Sequence, residues 1–364
     1  MKLHLYFAQR YLSMFLMILA GFTLFMYLVE LLEHIRRFDA GHLGFPQLAY
    51  LALLHLPQVV YQILTLVILL ASVALFITLS RTNELVISRA TGRSALASLM
   101  APVFAALAIG IFMVAVANPM VATSSKLYEQ EVNLVRGKKQ VFSVSREGLW
   151  LRQGSETGQT AIRARRTNED GTQLFNVSFF GFDENGQATY RIEAAQAELL
   201  PGKWDIRNAK RWNFVDTVNP ETQAIAESQT FIPSDLTVEQ IRDSFGSPST
   251  ISIWDLPAFI AQLTQAGFST RNHQVWLNAE LARPLGFVAM VFIGSVFTLR
   301  HTRMGRTGLM VLLAVLTGFL VYFIGNLAQL MGQNGQLPIA LAVWTTPVAA
   351  ILLALGLLLH FEDG

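Results

Sequence analysis

Two periodicities divide the chain. Uninterrupted apolar runs of the ~20 residues that cross ~30 Å of hydrocarbon occur at 11–32, 58–79 and 95–117, then at 276–299, 308–330 and 337–359. A further apolar stretch at 45–56, bracketed by Pro46 and Pro57, reads as an interfacial or kinked lead-in to the second run. Between the third and fourth runs, from Val141 onward, the pattern shortens to alternating or β-branched and aromatic segments bounded by Gly, Asn and Asp. The strand candidates are 141–151, 159–165, 174–182, 188–199, 203–215 and 224–232, with turns at Asp183-Glu184-Asn185-Gly186 and Pro201-Gly202. After Thr237 the helical period returns at 237–243 and at 253–265, the latter capped by Ser252 and ended by Gly267. The fold class this predicts is an α-helical membrane protein of six transmembrane helices with an inserted all-β domain, as a sandwich, jelly roll or open barrel.

Composition and charge sharpen that picture. At 52% hydrophobic and a mean hydropathy of +0.42, the 364-residue chain uses lipid as solvent. Of its 52 Lys, Arg, Asp and Glu residues, 34 lie between Pro119 and Val275, so that stretch is the aqueous part. Its 16 basic and 18 acidic groups nearly balance, which leaves no nucleic-acid footprint. The first apolar run, behind Lys2 and Arg10, is too long for a signal-peptide core and reads as a retained span. Lys2, Arg10, Arg81, Arg89, Arg93, Arg300, Arg303 and Arg306 fall on one side if six spans alternate, against Arg36 and Arg37 in the short loops opposite. Both termini are then cytoplasmic and the insert is periplasmic. The divisions expected are 1–118 for three spans, 119–270 for the insert with short exit helices, and 271–364 for the remaining spans.

The sequence offers little catalytic chemistry. With no cysteine, disulfides, thiolate zinc sites and thiol catalysis are excluded together. There is no phosphate-binding G-x-x-x-x-G-K-[ST], no G-x-S-x-G and no H-E-x-x-H, and the seven histidines show no paired metal-ligand spacing. No cofactor is implied. Glu30 and Glu33 form either a carboxylate pair or a solvated helix end, and Glu280 with Arg283 either a polar ligand site or a mutual i,i+3 ion pair.

Two polar clusters invite more. The loop SRTNELVISRATGRS at 80–94 sets Glu84, its one acid, beside Leu85, Val86 and Ile87 among arginines. It is either a generic basic loop or a short helix whose apolar knobs enter a partner's groove. Arg36 and Arg37 run against the topogenic bias and, with Arg136, Lys138 and Lys139, suit the phosphates of a lipid headgroup, either specific or ordinary.

Three spans, a β insert, three spans and the loop Glu84-Leu85-Val86-Ile87 with Ala90-Thr91-Gly92 together resemble the lipopolysaccharide-export permease family of LptF and LptG. DLPAFIAQLTQAGFSTRNHQVWLNAELARPLGF, with Leu263, Gly267 and Pro284 in place, is similar to that family's re-entry into the fourth span. REGLWLRQG looks like the LptG branch. The resemblance implies a jelly-roll insert and no catalysis by this chain. It implies an LptF-like second permease subunit, an LptB-like cytosolic ATPase dimer, an LptC-like protein and lipopolysaccharide as partners. It places Glu84, Leu85, Val86, Arg89 and Gly92 in a coupling helix at 81–94, and Arg36, Arg37, Arg136 and Lys138 near the phosphorylated sugars. Glu30 is a departure, because the family can place a lysine there. The first and fifth spans would be gate elements, with Gly21, Gly308, Gly318 and Gly325 allowing close approach. Two other classes remain open: a membrane enzyme built on Glu30, Glu33 and His34, and a scaffold that dispenses with the Glu84 loop.

Overall fold

The computed structural model describes residues 2–38, 43–82, 84, 95–135, 142–145, 148–155, 158–168, 170–183, 186–215, 219–234, 236–237, 247–298 and 307–362. They form two compact units: a helical one of Met1–Val132, Ser249–Trp254 and Gln274–Gly364, and a β-rich one of Asn133–Pro248 with Asp255–His273.

Among the described residues of the helical unit, six helical stretches are long and apolar enough to cross a membrane. They are α1 (Lys2–Arg37), α2 (Phe45–Arg81), α3 (Ala95–Phe112) continued through a π turn (Met113–Ala117) into α4 (Asn118–Val135), and three later helices. The later three are α6 (Arg271–Thr298), α7 (Thr307–Gln333) and α8 (Ile339–Glu362). Segment 45–56 is the first part of one 37-residue helix rather than a separate interfacial piece. Pro46 occupies the first turn, where a missing N–H costs nothing, and Pro57 is accommodated inside. Pro57 disturbs the carbonyls of the preceding turn, and the Ser124 hydroxyl of α4 donates to one of them, that of Leu54.

The π turn has a similar cause. Pro119 has no N–H to offer the carbonyl of Ala115, which instead accepts the indole N–H of Trp254 at 3.1 Å. Next to it the Asn118 side chain accepts the backbone N–H of Ile253 at 2.8 Å. The core of the unit runs from Phe7, Tyr11 and Phe15 through Leu64, Phe76, Leu99 and Phe287. Helices approach closely where a glycine faces a neighbour: Gly110 against Pro284, Gly294 against Ser72 and Gly318 against Leu69. Gly325 faces Thr346, but at Gly21 and Gly308 an added Cβ would meet nothing within 4 Å among the described residues.

The β-rich unit holds β1 (Phe142–Ser145), β2 (Gly148–Ser155), β3 (Gly158–Thr167), β4 (Gln173–Phe182), β5 (Ala188–Leu200), β6 (Lys203–Asn213) and β7 (Ile225–Pro233). They lie in one antiparallel sheet in chain order. The inserted all-β domain is thus present, and its described strands are joined as successive hairpins without the crossovers of a double Greek key. Where 141–151 reads as one strand there are two, 142–145 and 148–155, paired antiparallel with Ser145 opposite Gly148. The turns at Gly186 (φ +81°) and Gly202 (φ +80°) stand where the sequence places them.

The sheet curls on itself. Gln153 of β2 donates to the carbonyl of Pro233 at 2.9 Å and accepts from the Trp204 indole (3.2 Å) and from Ser234 Oγ (2.8 Å), joining β2 to the far end of β7. Its buried face carries Leu149, Leu151, Ile162, Phe179, Ile192, Trp204 and Ile206. Helix α5 (Leu256–Ala266) adds Leu263, Ala266 and the following Phe268 to that core. It starts later than 253 because Pro257 sits in its first turn, and Ser252 Oγ is used instead by the N–H of Trp254 at 3.3 Å. Gly267 ends it at φ +93°, where a Cβ would strike the carbonyl oxygen of Thr167. The helix expected at 237–243 falls mostly outside the described residues.

Candidate functional site

The last turns of α1 carry the first group of interest. Glu30, one of the carboxylates singled out above, accepts from His55 Nδ1 of α2 at 2.7 Å. His34, 2% exposed, lies one turn on, with Nδ1 2.7 Å from the Glu30 carbonyl and Nε2 3.1 Å from the Tyr128 hydroxyl of α4. With Nδ1 donating along its own helix, Nε2 is left to meet the Tyr128 hydroxyl. Tyr128 stacks on His55 at 4.5 Å between ring centres. The cluster therefore ties α1, α2 and α4 together, and its polar atoms are taken up by each other. His55 and Tyr128 were not legible in advance, since they lie 25 and 98 positions from Glu30.

Beyond this knot the α1 end turns outward. Arg36 is 80% exposed along its side chain and pairs with Glu33 at 2.9 Å. Arg37 stands over the ring of Phe38, with 6.0 Å between guanidinium and ring centre. Both lie on the last turn of a helix, where cations meet the negative end of the dipole. Arg136 and Lys138 lie outside the described residues, so of the four residues expected at the headgroup only Arg36 and Arg37 are described.

A second polar group is buried deeper. Glu280 of α6, fully inaccessible, accepts from Arg283 twice (Nη2 to Oε1 at 2.5 Å, Nε to Oε2 at 3.2 Å) and from the Tyr61 hydroxyl at 2.5 Å. The Arg283 guanidinium also lies 4.3 Å over the Tyr61 ring. The i,i+3 ion pair is thus realised, with Tyr61 as an unanticipated third member. It borders a cavity of about 370 Å³ among α2, α6, α7 and α8, whose lining includes Gln62, Thr65, Tyr322, Asn326 and Gln329. Amide and hydroxyl groups so placed can hydrogen-bond a polar occupant inside an apolar bundle.

The third group is at the opposite ends of α1 and α2. Glu84 accepts from Thr82 Oγ1 at 2.9 Å and from the Tyr6 hydroxyl at 3.4 Å, and lies 3.8 Å from Arg10, which itself donates to Tyr6 at 2.5 Å. The acid of the 80–94 loop is therefore engaged by α1 of its own chain. Leu85, Val86, Arg89 and Gly92 lie outside the described residues. No group of three or more His, Cys, Asp or Glu residues able to hold a metal occurs among the described residues.

Residues 5–360 match the model of the family described as lipopolysaccharide export system permease LptF/LptG. The chain belongs to the LptF/LptG permease family. No curated protein matches it. As an LptF/LptG permease it is a multi-pass inner-membrane subunit of the lipopolysaccharide export system and not itself an enzyme, consistent with six apolar helices interrupted by an antiparallel sheet.

Proposed function

We propose that the chain is the LptG-like subunit of an ATP-driven exporter, which lifts lipopolysaccharide out of the inner membrane and passes it to a periplasmic bridge. The observation that carries this reading is the family match over nearly the whole chain, joined to the absence of any phosphate-binding loop in the sequence. Energy must then come from a separate ATPase, an LptB-like dimer docked against the 81–94 segment with Glu84, Leu85, Val86, Arg89 and Gly92 at the contact. Domains would run 1–118, 119–270 and 271–364, with cytoplasmic termini and the β-rich insert in the periplasm. An LptF-like subunit completes the membrane cavity, and an LptC-like protein receives the lipid.

In this reading Arg36, Arg37, Arg136 and Lys138 meet the phosphorylated headgroup. Glu30 stands where a lysine can occur in the family, and its engagement by His55 keeps an uncompensated carboxylate away from that anion. The same engagement argues against the enzyme reading, since Glu30 and His34 are committed to a helix-joining knot.

The test is purification in mild detergent. A second six-span protein and a soluble ATPase travelling with the chain are expected, and Glu84→Ala should release the ATPase. A chain that purifies alone, or an ATPase retained undiminished by Glu84→Ala, overturns the respective claim.

A further inference from the structure

One face of the β sheet carries a pattern that the permease reading leaves unused. Opposite the buried face, two neighbouring cross-strand rows run over β2 to β6. The first is Trp150, Arg163, Ser178, Glu193 and Lys210, each paired with the next. The second is Arg152, Ala161, Phe180, Arg191 and Trp212. Alternation along each strand puts all ten side chains on that face.

Rings and cations interlock there. Arg163 lies 5.5 Å over Trp150, Arg191 is held between Phe180 and Trp212 at 5.6 Å from each, and Lys210 stands 4.8 Å over Trp212. Trp150 and Phe180 stack across the rows at 6.3 Å. Arg152 and Arg163 are exposed and the rest half-buried. Nε of Arg191 is buried without a hydrogen-bond partner. A guanidinium laid flat on a ring is fixed in orientation and meets an anion through its N–H edge, as Arg191 meets the Glu193 carboxylate.

From this belt we propose a binding site for an acidic saccharide, a sugar chain carrying phosphate groups, on the outer face of β2 to β6. Arg191 and Lys210 pair with Glu193 and Glu221, so the belt interleaves its cations with acids. That leaves too weak a field to hold an anionic membrane surface, which calls for unpaired basic clusters. An acidic peptide would add to a strand edge, whereas this belt lies on the sheet's face. Alternating flat rings and forked cations at the ~4.8 Å strand spacing instead suit a ligand whose apolar sugar faces and anionic groups alternate.

The proposal rests on the permease reading only in taking the saccharide from the exported lipid. The test is binding of the full chain in detergent micelles to the deacylated, phosphorylated carbohydrate of lipopolysaccharide, with the dephosphorylated carbohydrate, a poly-glutamate peptide and phosphatidylglycerol nanodiscs as comparisons. No ATPase and no acyl chain enter the saccharide assay, so its failure and that of the transport reading are separate results. Arg152→Glu with Arg163→Glu should weaken phosphorylated-saccharide binding at least ten-fold; if that variant does not fold, Arg152→Gln with Arg163→Gln carries the same expectation. Trp150→Ala with Phe180→Ala, which keeps every charge, should weaken it at least three-fold. Unchanged binding in either pair, no binding by the unaltered chain, or equal preference for any comparison ligand overturns the proposal.

Discussion

The Trp254 indole donates its N–H at 3.1 Å to the carbonyl of Ala115, which Pro119 deprives of its helical partner. A residue 139 positions away thus completes the backbone of a membrane span, where no water is at hand to do so. Trp254→Phe should destabilise the helical unit by about 1–3 kcal/mol, the cost of an acceptor left unsatisfied on a lipid-facing helix. Pro119→Ala, by returning an N–H to the helix, should make the same change nearly silent. Thermal melts of the two single variants and the double variant in detergent check it; additive effects would sink the explanation.

Glu280 and Arg283 should behave as a unit. Glu280→Gln or Arg283→Met alone leaves one buried charge uncompensated and is expected to cost about 3–5 kcal/mol. Glu280→Leu with Arg283→Met should cost less than either single change. Denaturation midpoints of the three variants are the measurement, and a double variant worse than both singles would contradict the assignment.

Glu84 separates stability from coupling. Its contacts with Arg10 are partly exposed, with 31% and 26% of the two side chains accessible, so Glu84→Ala should change stability by only about 0–1 kcal/mol. Loss of the co-purifying ATPase without a shift in melting temperature is the expected result. Arg10→Glu with Glu84→Arg tests the contact itself: the reversed pair should melt like the original chain, and each single reversal slightly lower.

The β sheet should weaken in acid through Asp205. Gln229 donates to its carboxylate at 2.7 Å and Arg207 at 3.2 Å, which holds its pKa below the ordinary carboxylate value despite burial. Because the folded pKa is the lower one, this stabilisation is complete above about pH 4, the unfolded value, and is lost as pH falls through the folded value. Asp205→Asn should flatten the decline of melting temperature in that window. An unaltered profile would assign the acid sensitivity elsewhere; Glu221, lowered by Lys210 and Trp212, is the next carboxylate to replace.

The spans were legible because lipid imposes one demand, length of apolar run, and 11–32 or 308–330 meets it without reference to any neighbour. Strand placement was nearly as legible, since Pro201-Gly202 and Asp183 to Gly186 announce their turns locally. What stayed hidden depends on contacts between distant positions. The π turn needs Pro119 and Trp254 together, and Glu30 finds His55 on the next helix. Gly21 and Gly308 fit a small-residue pattern yet face none of the described residues closely, whereas Gly110 and Gly294 make close approaches. Of the proposed site, sequence alone supplied Arg36, Arg37 and Glu84, but not that Glu84 turns toward Tyr6 and Arg10.

The order of strands bears on how the domain is made. Seven strands that pair only with their predecessors can be laid down one hairpin at a time as the chain is synthesised, each closing a short loop. The core is not finished by the last strand, however: Leu263, Ala266 and Phe268 belong to it and arrive only afterwards. Phe268 precedes the start of the fourth span by three residues. The last apolar piece of the sheet's core and the first turn of the returning membrane helix therefore leave the ribosome almost together, and a nascent chain halted before Leu263 would hold a paired sheet whose core lacks these three side chains.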